Sequence, residues 1–153
     1  MRRRDFITLL GGSAATWPFV ARAQQPDRMR LIGVLIDYAE TNAAAQSLVA
    51  AFRGELAKLG WKEGSNLRVE VRWSAGNADR ITTFAKELVD LRPDAILGRG
   101  TPETRALAHE TQTIPIVYAL VSDPIGSGFA ASFAHPGSNM TGFTALDPAL
   151  AVR

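Results

Sequence analysis

Four short stretches of this chain carry side chains suited to holding a small polar molecule. They are Asp37 to Thr41 with Tyr38, Ser74 to Asn77, Gly98 to Thr101, and Ala119 to Asp123 with Ser122. Each follows an apolar run, and three precede a helical pattern. Free N–H groups and a positive dipole end at a helix start suit a carboxylate or another anion. The predicted ligand-binding set is Asp37, Tyr38, Ser74, Thr101, Ser122 and Asp123. Thr41, Asn77, Thr101 and Asp123 also fit as plain helix caps, whose side-chain oxygen satisfies a free backbone N–H. Each alone reads as a cap, and only their shared edge points to a ligand. Tyr38, beside Asp37, is the aromatic residue best placed for a ligand contact. Trp73 and Tyr118 end strands and also fit as core residues.

Other chemistries lack their parts. Gly98-Arg99-Gly100-Thr101-Pro102-Glu103 half-matches the dinucleotide fingerprint G-x-G-x-x-G, but Glu103 replaces the third glycine and sets a negative charge beside a pyrophosphate. Lys58, Lys62 and Lys86 fall in or just after helical patterns, so none completes a P-loop. Gly126-Ser127-Gly128 lacks the spacing of a nucleophile elbow. His109 and His135 are isolated, and with no cysteine in the chain a metal site is not expected. No catalytic residue and no cofactor is predicted. The chain reads as a binder rather than an enzyme.

The elements that must position these residues alternate. Leu31 to Ile36 is a continuous apolar run of the kind that forms a buried parallel strand. Leu48, Val49, Phe52, Leu56 and Leu59 then recur at helical spacing, with Thr41 or Asn42 as the cap and Gly60 as the stop. Leu67, Val69, Val71 and Trp73 alternate with charged residues, as in a strand near a sheet edge. Asn77 caps a helix bearing Ile81, Phe84, Leu88 and Val89, stopped by Pro93. Ala95 to Gly98 is a third strand, and Thr101-Pro102 starts a third helix. Ile114 to Tyr118 is a fourth strand, Asp123-Pro124 starts a fourth helix before Phe129 and Phe133, and Met140 to Thr144 is a fifth strand. The predicted fold is α/β: a three-layer sandwich around a five-stranded, mainly parallel sheet. Ligands then bind outside the carboxyl ends of the strands.

The amino end reads as an address. Arg2, Arg3 and Arg4 precede a mildly apolar stretch from Phe6 to Val20, and Ala21-Arg22-Ala23 supplies a small-residue cleavage site. Arg3, Arg4 and Phe6 resemble the bacterial twin-arginine export signal. Gly11-Gly12, Pro18 and Arg22 interrupt the stretch too often for a spanning helix, which needs about 20 apolar residues. Residues 1–23 are therefore expected to be a signal peptide cleaved after Ala23, followed by a linker at 24–29, the lobe at 30–144 and a tail at 145–153. The whole chain holds 17 basic and 15 acidic residues. Loss of four arginines and one aspartate with the leader leaves a nearly neutral domain, so a nucleic-acid partner is not expected. Stable membrane insertion after cleavage is not expected either, and the expected compartment is the periplasm.

Several longer stretches resemble a known family. Arg30-Leu-Ile-Gly-Val-Leu, Phe52-Arg-Gly-Glu-Leu-Ala-Lys-Leu-Gly-Trp61, Thr113-Ile-Pro-Ile-Val117, Ser122-Asp-Pro-Ile-Gly126 and Pro136-Gly-Ser-Asn-Met-Thr-Gly142 resemble the substrate-binding proteins of ABC transporters related to tryptophan and aromatic amino-acid binding proteins. The resemblance implies the first lobe of a type I periplasmic-binding-protein fold, a small-molecule ligand, an amino acid or other small carboxylate, and an ABC permease as partner. Family members are about twice this length, so a truncated lobe is expected, completed by a homodimer partner or a separate second lobe. Three other readings are an interaction or sensory module, a non-functional truncated remnant, and an enzyme on a Rossmann-like scaffold, the last lacking any complete motif.

Overall fold

The computed structural model describes residues 28–132, 134 and 137–144. The expected leader, most of the linker, Phe133, His135, Pro136 and the tail at 145–153 lie outside the described residues. The elements run β1 (Arg30–Ile36), α1 (Ala43–Lys58), β2 (Leu67–Trp73), α2 (Ala78–Asp90), β3 (Ala95–Arg99), α3 (Thr101–Glu110), β4 (Ile116–Val121) and β5 (Met140–Thr144). The strands form one sheet in the order β2-β1-β3-β4-β5, and every neighbouring pair is parallel. The alternating β2 does lie at an edge.

Side-chain alternation along β1 divides the core into two layers. Leu35 packs on one face with Ala85 and Leu88 of α2, Leu107 of α3, Ile96, Ile116, Tyr118 and Phe129. Val34 and Ile36 pack on the other with Val49 of α1, Leu67 and Val69. A parallel strand buried on both faces needs such an unbroken apolar run. Each fully buried Leu or Ile contributes about 1.5–3 kcal/mol relative to exposure. The α1 face is thinly covered. Leu48 and Leu59, expected on the buried stripe, are 51% and 76% exposed, and α1 buries Ala45 and Val49. Among the described residues, no helix is long and apolar enough to cross a membrane.

Local signals set most boundaries. Asn42 rather than Thr41 caps α1 by accepting from Ala45 N at 3.0 Å, and Asn77 caps α2 by accepting from Arg80 N at 3.0 Å. α3 departs from expectation: Thr101 is its first residue, Pro102 its second, and Gly100 occupies the cap position with no side-chain bond. The helix predicted to start at Asp123-Pro124 is absent. Asp123 accepts from Gly126 N at 2.7 Å, Ser127 N bonds to Asp123 O at 3.0 Å, and Phe129 N bonds to Pro124 O at 2.8 Å, making a compact turn. Gly126 weakens helix propagation, and Gly128 ends the turn in the left-handed region at φ 78°. Phe129 pins this connection to the core at 4% exposure.

β4 begins two residues later than predicted and continues past Tyr118. A register shift falls between Ala119 and Val121, with Leu120 at φ 57°. This is a bulge, which bends a strand and re-aims its side chains. The fourth loop therefore begins at Ser122, not Ala119.

Candidate functional site

Strand order places a crevice before any side chain is considered. From β1 the chain crosses to β2 on one side, then returns to β3 on the other. The connections diverge outside the carboxyl ends of β1 and β3, and ligands of open parallel sheets bind at such a point. Asp37 and Tyr38 follow β1 there, Arg99 ends β3, and Gly100-Thr101 opens α3.

The three side chains nearest this point form one cluster. Arg99 Nη1 is ion-paired with Asp37 Oδ1. Its guanidinium lies 4.4 Å from the centre of the Tyr38 ring, and Nη2 is 3.4 Å from the Tyr38 hydroxyl. A cation over an aromatic face gains about 0.5–2 kcal/mol, more where water is excluded. Burial works against the Arg99 charge, but the hydrogen bond and charge of Asp37 outweigh it and hold the guanidinium above its ordinary range. The cluster thus presents a cation, an anion and a ring at one place.

A second, buried pair supports it from below. Ser74, just after β2, is fully buried, with Oγ 3.0 Å from Ile36 O and 2.9 Å from Glu103 Oε1. Glu103 lies in the first turn of α3 at 1% exposure. Among the described residues, its Oε2 is the buried side-chain polar atom without a hydrogen-bond partner. Burial pushes the Glu103 carboxyl up, and the Asp37 charge adds to that. Its own backbone amide, Ser74 and Arg99 pull the other way without reversing it.

The predicted site residues divide accordingly. Asp37, Tyr38 and Thr101 sit at the crevice. Ser74 is placed behind it as a support, with no surface for a ligand to touch. Ser122 and Asp123 are exposed beyond β4, and the Asp123 carboxylate is engaged by Gly126 within its own turn. Tyr118 is a core residue at 3% exposure. Trp73 instead lines a groove of about 600 Å3 with Glu40, Thr41, Arg72 and Arg80, beside the Tyr38 loop. The sequence reading missed Arg99 and Glu103. Arg99 lay inside the Gly98 to Thr101 stretch already singled out, a signal that was readable, whereas the burial of Glu103 depends on how the first turn of α3 meets Ser74, after β2. Among the described residues no cluster of three or more His, Cys, Asp or Glu could hold a metal.

A family model for ABC transporter substrate binding proteins matches residues 36–150, well over half of the chain. The chain belongs to this family. A curated relative, the tyrosine-binding protein of Clostridioides difficile, is 25% identical over 111 residues, covering 72% of this chain and 31% of its own length. A solved conserved domain protein from Vibrio cholerae O1 biovar El Tor is 30% identical with a TM-score of 0.71, over 79% of this chain and 40% of that one. A solved ABC domain in complex with L-Trp, from Streptococcus pneumonia, is 28% identical with a TM-score of 0.68, over 76% and 38%. The chain therefore spans about a third of the curated relative and about two-fifths of the solved ones. The matched family is one of substrate-binding proteins, binders rather than enzymes, and the expected α/β lobe is the part matched.

Proposed function

We propose that this chain supplies one ligand-binding lobe of a periplasmic solute receptor that delivers an amino acid or another small carboxylate to an ABC permease. The observation that carries this reading is the Arg99–Asp37 pair stacked on Tyr38 at the strand-order switch point. A ligand carboxylate can take the place of Asp37 on the Arg99 fork, where charge-assisted hydrogen bonds are strong. The freed Asp37 then receives a ligand cation, and Tyr38 supplies an apolar wall. The L-Trp bound by the pneumococcal relative and the tyrosine-binding label of the clostridial one favour an amino acid over a plain carboxylate.

Residues 1–23 act as a twin-arginine export signal in this reading, 24–29 as a linker, 30–144 as the lobe and 145–153 as the start of a connection. Pockets bury about 70–90% of a small ligand, more than this open crevice offers. A second lobe, in the same or another polypeptide, or a second copy, closes the site.

Thermal unfolding with L-Trp, L-Tyr and other amino acids tests the reading. A bound ligand at 100 times its Kd stabilises by about 2.7 kcal/mol. Stabilisation that is lost in Arg99→Ala and Asp37→Ala supports it; stabilisation that survives both substitutions, or none with any amino acid, contradicts it.

A further inference from the structure

The Ser74–Glu103 contact holds more acceptors than protons. Ser74 Oγ has one hydrogen but lies within bonding distance of two acceptors, Ile36 O at 3.0 Å and Glu103 Oε1 at 2.9 Å. A hydroxyl donates once. With an ionised Glu103, the hydroxyl proton goes to Oε1, Ile36 O keeps the Ser74 N–H at 2.8 Å, and a carboxylate charge stays buried. Glu103 Oε2 already lacks a partner at a fully buried position, and burying a charge with so few donors costs far more than burying the neutral acid. A proton on Oε1 removes the buried charge and frees the Ser74 hydroxyl to add a second hydrogen bond to Ile36 O. Glu103 then donates to Ser74 Oγ, and Ser74 donates to Ile36 O.

The resulting chain of bonds crosses three elements that frame the crevice. It starts in the first turn of α3, passes through the residue after β2 and ends on the last residue of β1. Asp37 follows that last residue directly. The backbone is shaped around the carboxyl as well: a Cβ at Gly100 would sit 2.6 Å from Glu103 Oε2 and 3.9 Å from Asp37 Cβ. The charged groups acting on Glu103 are Asp37, after β1, and Arg99, at the end of β3. One arginine faces two acids, and Asp37 occupies it.

We propose that Glu103 is a neutral carboxylic acid in the folded protein and a positioning residue that, through Ser74, ties the start of α3 and the end of β2 to the end of β1. Loss of its proton turns the Ser74 hydroxyl from Ile36 O to the carboxylate, adds a second negative charge beside Asp37 and loosens the crevice. The upward displacement of its titration by burial agrees with this. The link to ligand binding rests on the proposed function, whereas the protonation state is read without ligand, so the two fail separately.

Carbon-13 NMR of the glutamate carboxyls, with Glu103→Gln for assignment, tests the inference directly. The Glu103 resonance is expected to stay at its protonated position as pH rises past the free glutamate value of about 4.3. As it later ionises, amides of residues 36–37, 74–76 and 100–104 are expected to shift together. A second readout is the urea midpoint against pH. A group protonated in the fold and ionised when unfolded stabilises fully below its unfolded pKa and loses that contribution as pH rises. The wild-type midpoint should therefore fall relative to Glu103→Gln as pH rises above the unfolded glutamate value of about 4.3, with Glu103→Gln matching or exceeding wild type at pH 7 and Glu103→Ala below both. A Glu103 resonance titrating at or below the free glutamate value, or parallel midpoint profiles for wild type and Glu103→Gln, overturns the proposal.

Discussion

Replacing Gly100 by alanine concentrates the local constraints of the crevice in one methyl group. Gly100 has φ 99° and ψ 157°, a region that residues with a Cβ essentially never occupy. Holding alanine there costs about 1–3 kcal/mol in backbone strain. The new Cβ would also lie 2.6 Å from Glu103 Oε2, so the carboxyl must swing away from Ser74. Loss of that buried hydrogen bond adds about 1–3 kcal/mol. The expected total is about 2–6 kcal/mol, the sum of these two effects. In urea, with a slope of about 1–3 kcal/mol per molar for a small protein, the midpoint should drop by about 0.7 M or more. Gly100→Ala combined with Glu103→Ala removes the oxygen that the methyl meets. The pair should then be less destabilised than the two single variants added together, by about 1 kcal/mol. A Gly100→Ala variant within about 0.5 kcal/mol of wild type, the range of ordinary surface changes, would refute the reasoning. Strict additivity would refute the steric half of it.

Gly142→Ala acts through close approach rather than through φ: its Cβ would fall 2.0 Å from Tyr118 O, so β5 must move off β4. A cost of at least about 1–3 kcal/mol is expected for such overpacking, with faster hydrogen exchange confined to β4 and β5; unchanged exchange there would sink the prediction. Asp94, at the opposite end of the sheet, accepts from Leu31 N at 2.9 Å and pairs with Arg30 at 2.8 Å. The Leu31 hydrogen bond, opposed by burial and joined by Arg30, holds its carboxyl below the usual range. Its contribution is therefore complete above the unfolded pKa of about 3.9 and disappears as pH falls through the lower folded value. Urea midpoints of wild type should fall more steeply than those of Asp94→Asn below about pH 4, and parallel profiles would show that Asp94 has no such role.

What the sequence disclosed was whatever depends on neighbours along the chain. The apolar runs at 31–36 and 95–98, the alternation at 67–73 and the Asn77 cap are local patterns, and β1, β3, β2 and the start of α2 formed where those patterns lie. Failures arose where distant contacts or competing local geometry decided the outcome. Asp123-Pro124 has the composition of a helix start, but Gly126 and Gly128 close the chain into one turn, with Phe129 held in the core. Leu48 and Leu59 have helical spacing, yet α1 meets the sheet along a narrower stripe than the pattern offered. In the crevice, Asp37 and Tyr38 were visible as polar residues after a strand. Arg99 fell in the Gly98 to Thr101 loop without being chosen as a ligand residue, and parallel pairing of β1 with β3 sets Ile36 opposite it, one residue before Asp37. Glu103 looked like an error in a phosphate loop, because nothing local reveals that its carboxyl lies behind Gly100.

The central claim is that a small ligand binds at the carboxyl ends of β1 and β3. Titration of the nitrogen-15-labelled chain with L-Trp and L-Tyr, followed by amide chemical shifts, tests it most directly. The expected result is saturable shifts concentrated at residues 36–38 and 99–104, reduced in Arg99→Ala. Shifts centred on the opposite end of the sheet, around Arg30 and Asp94, or none with either amino acid, would contradict it.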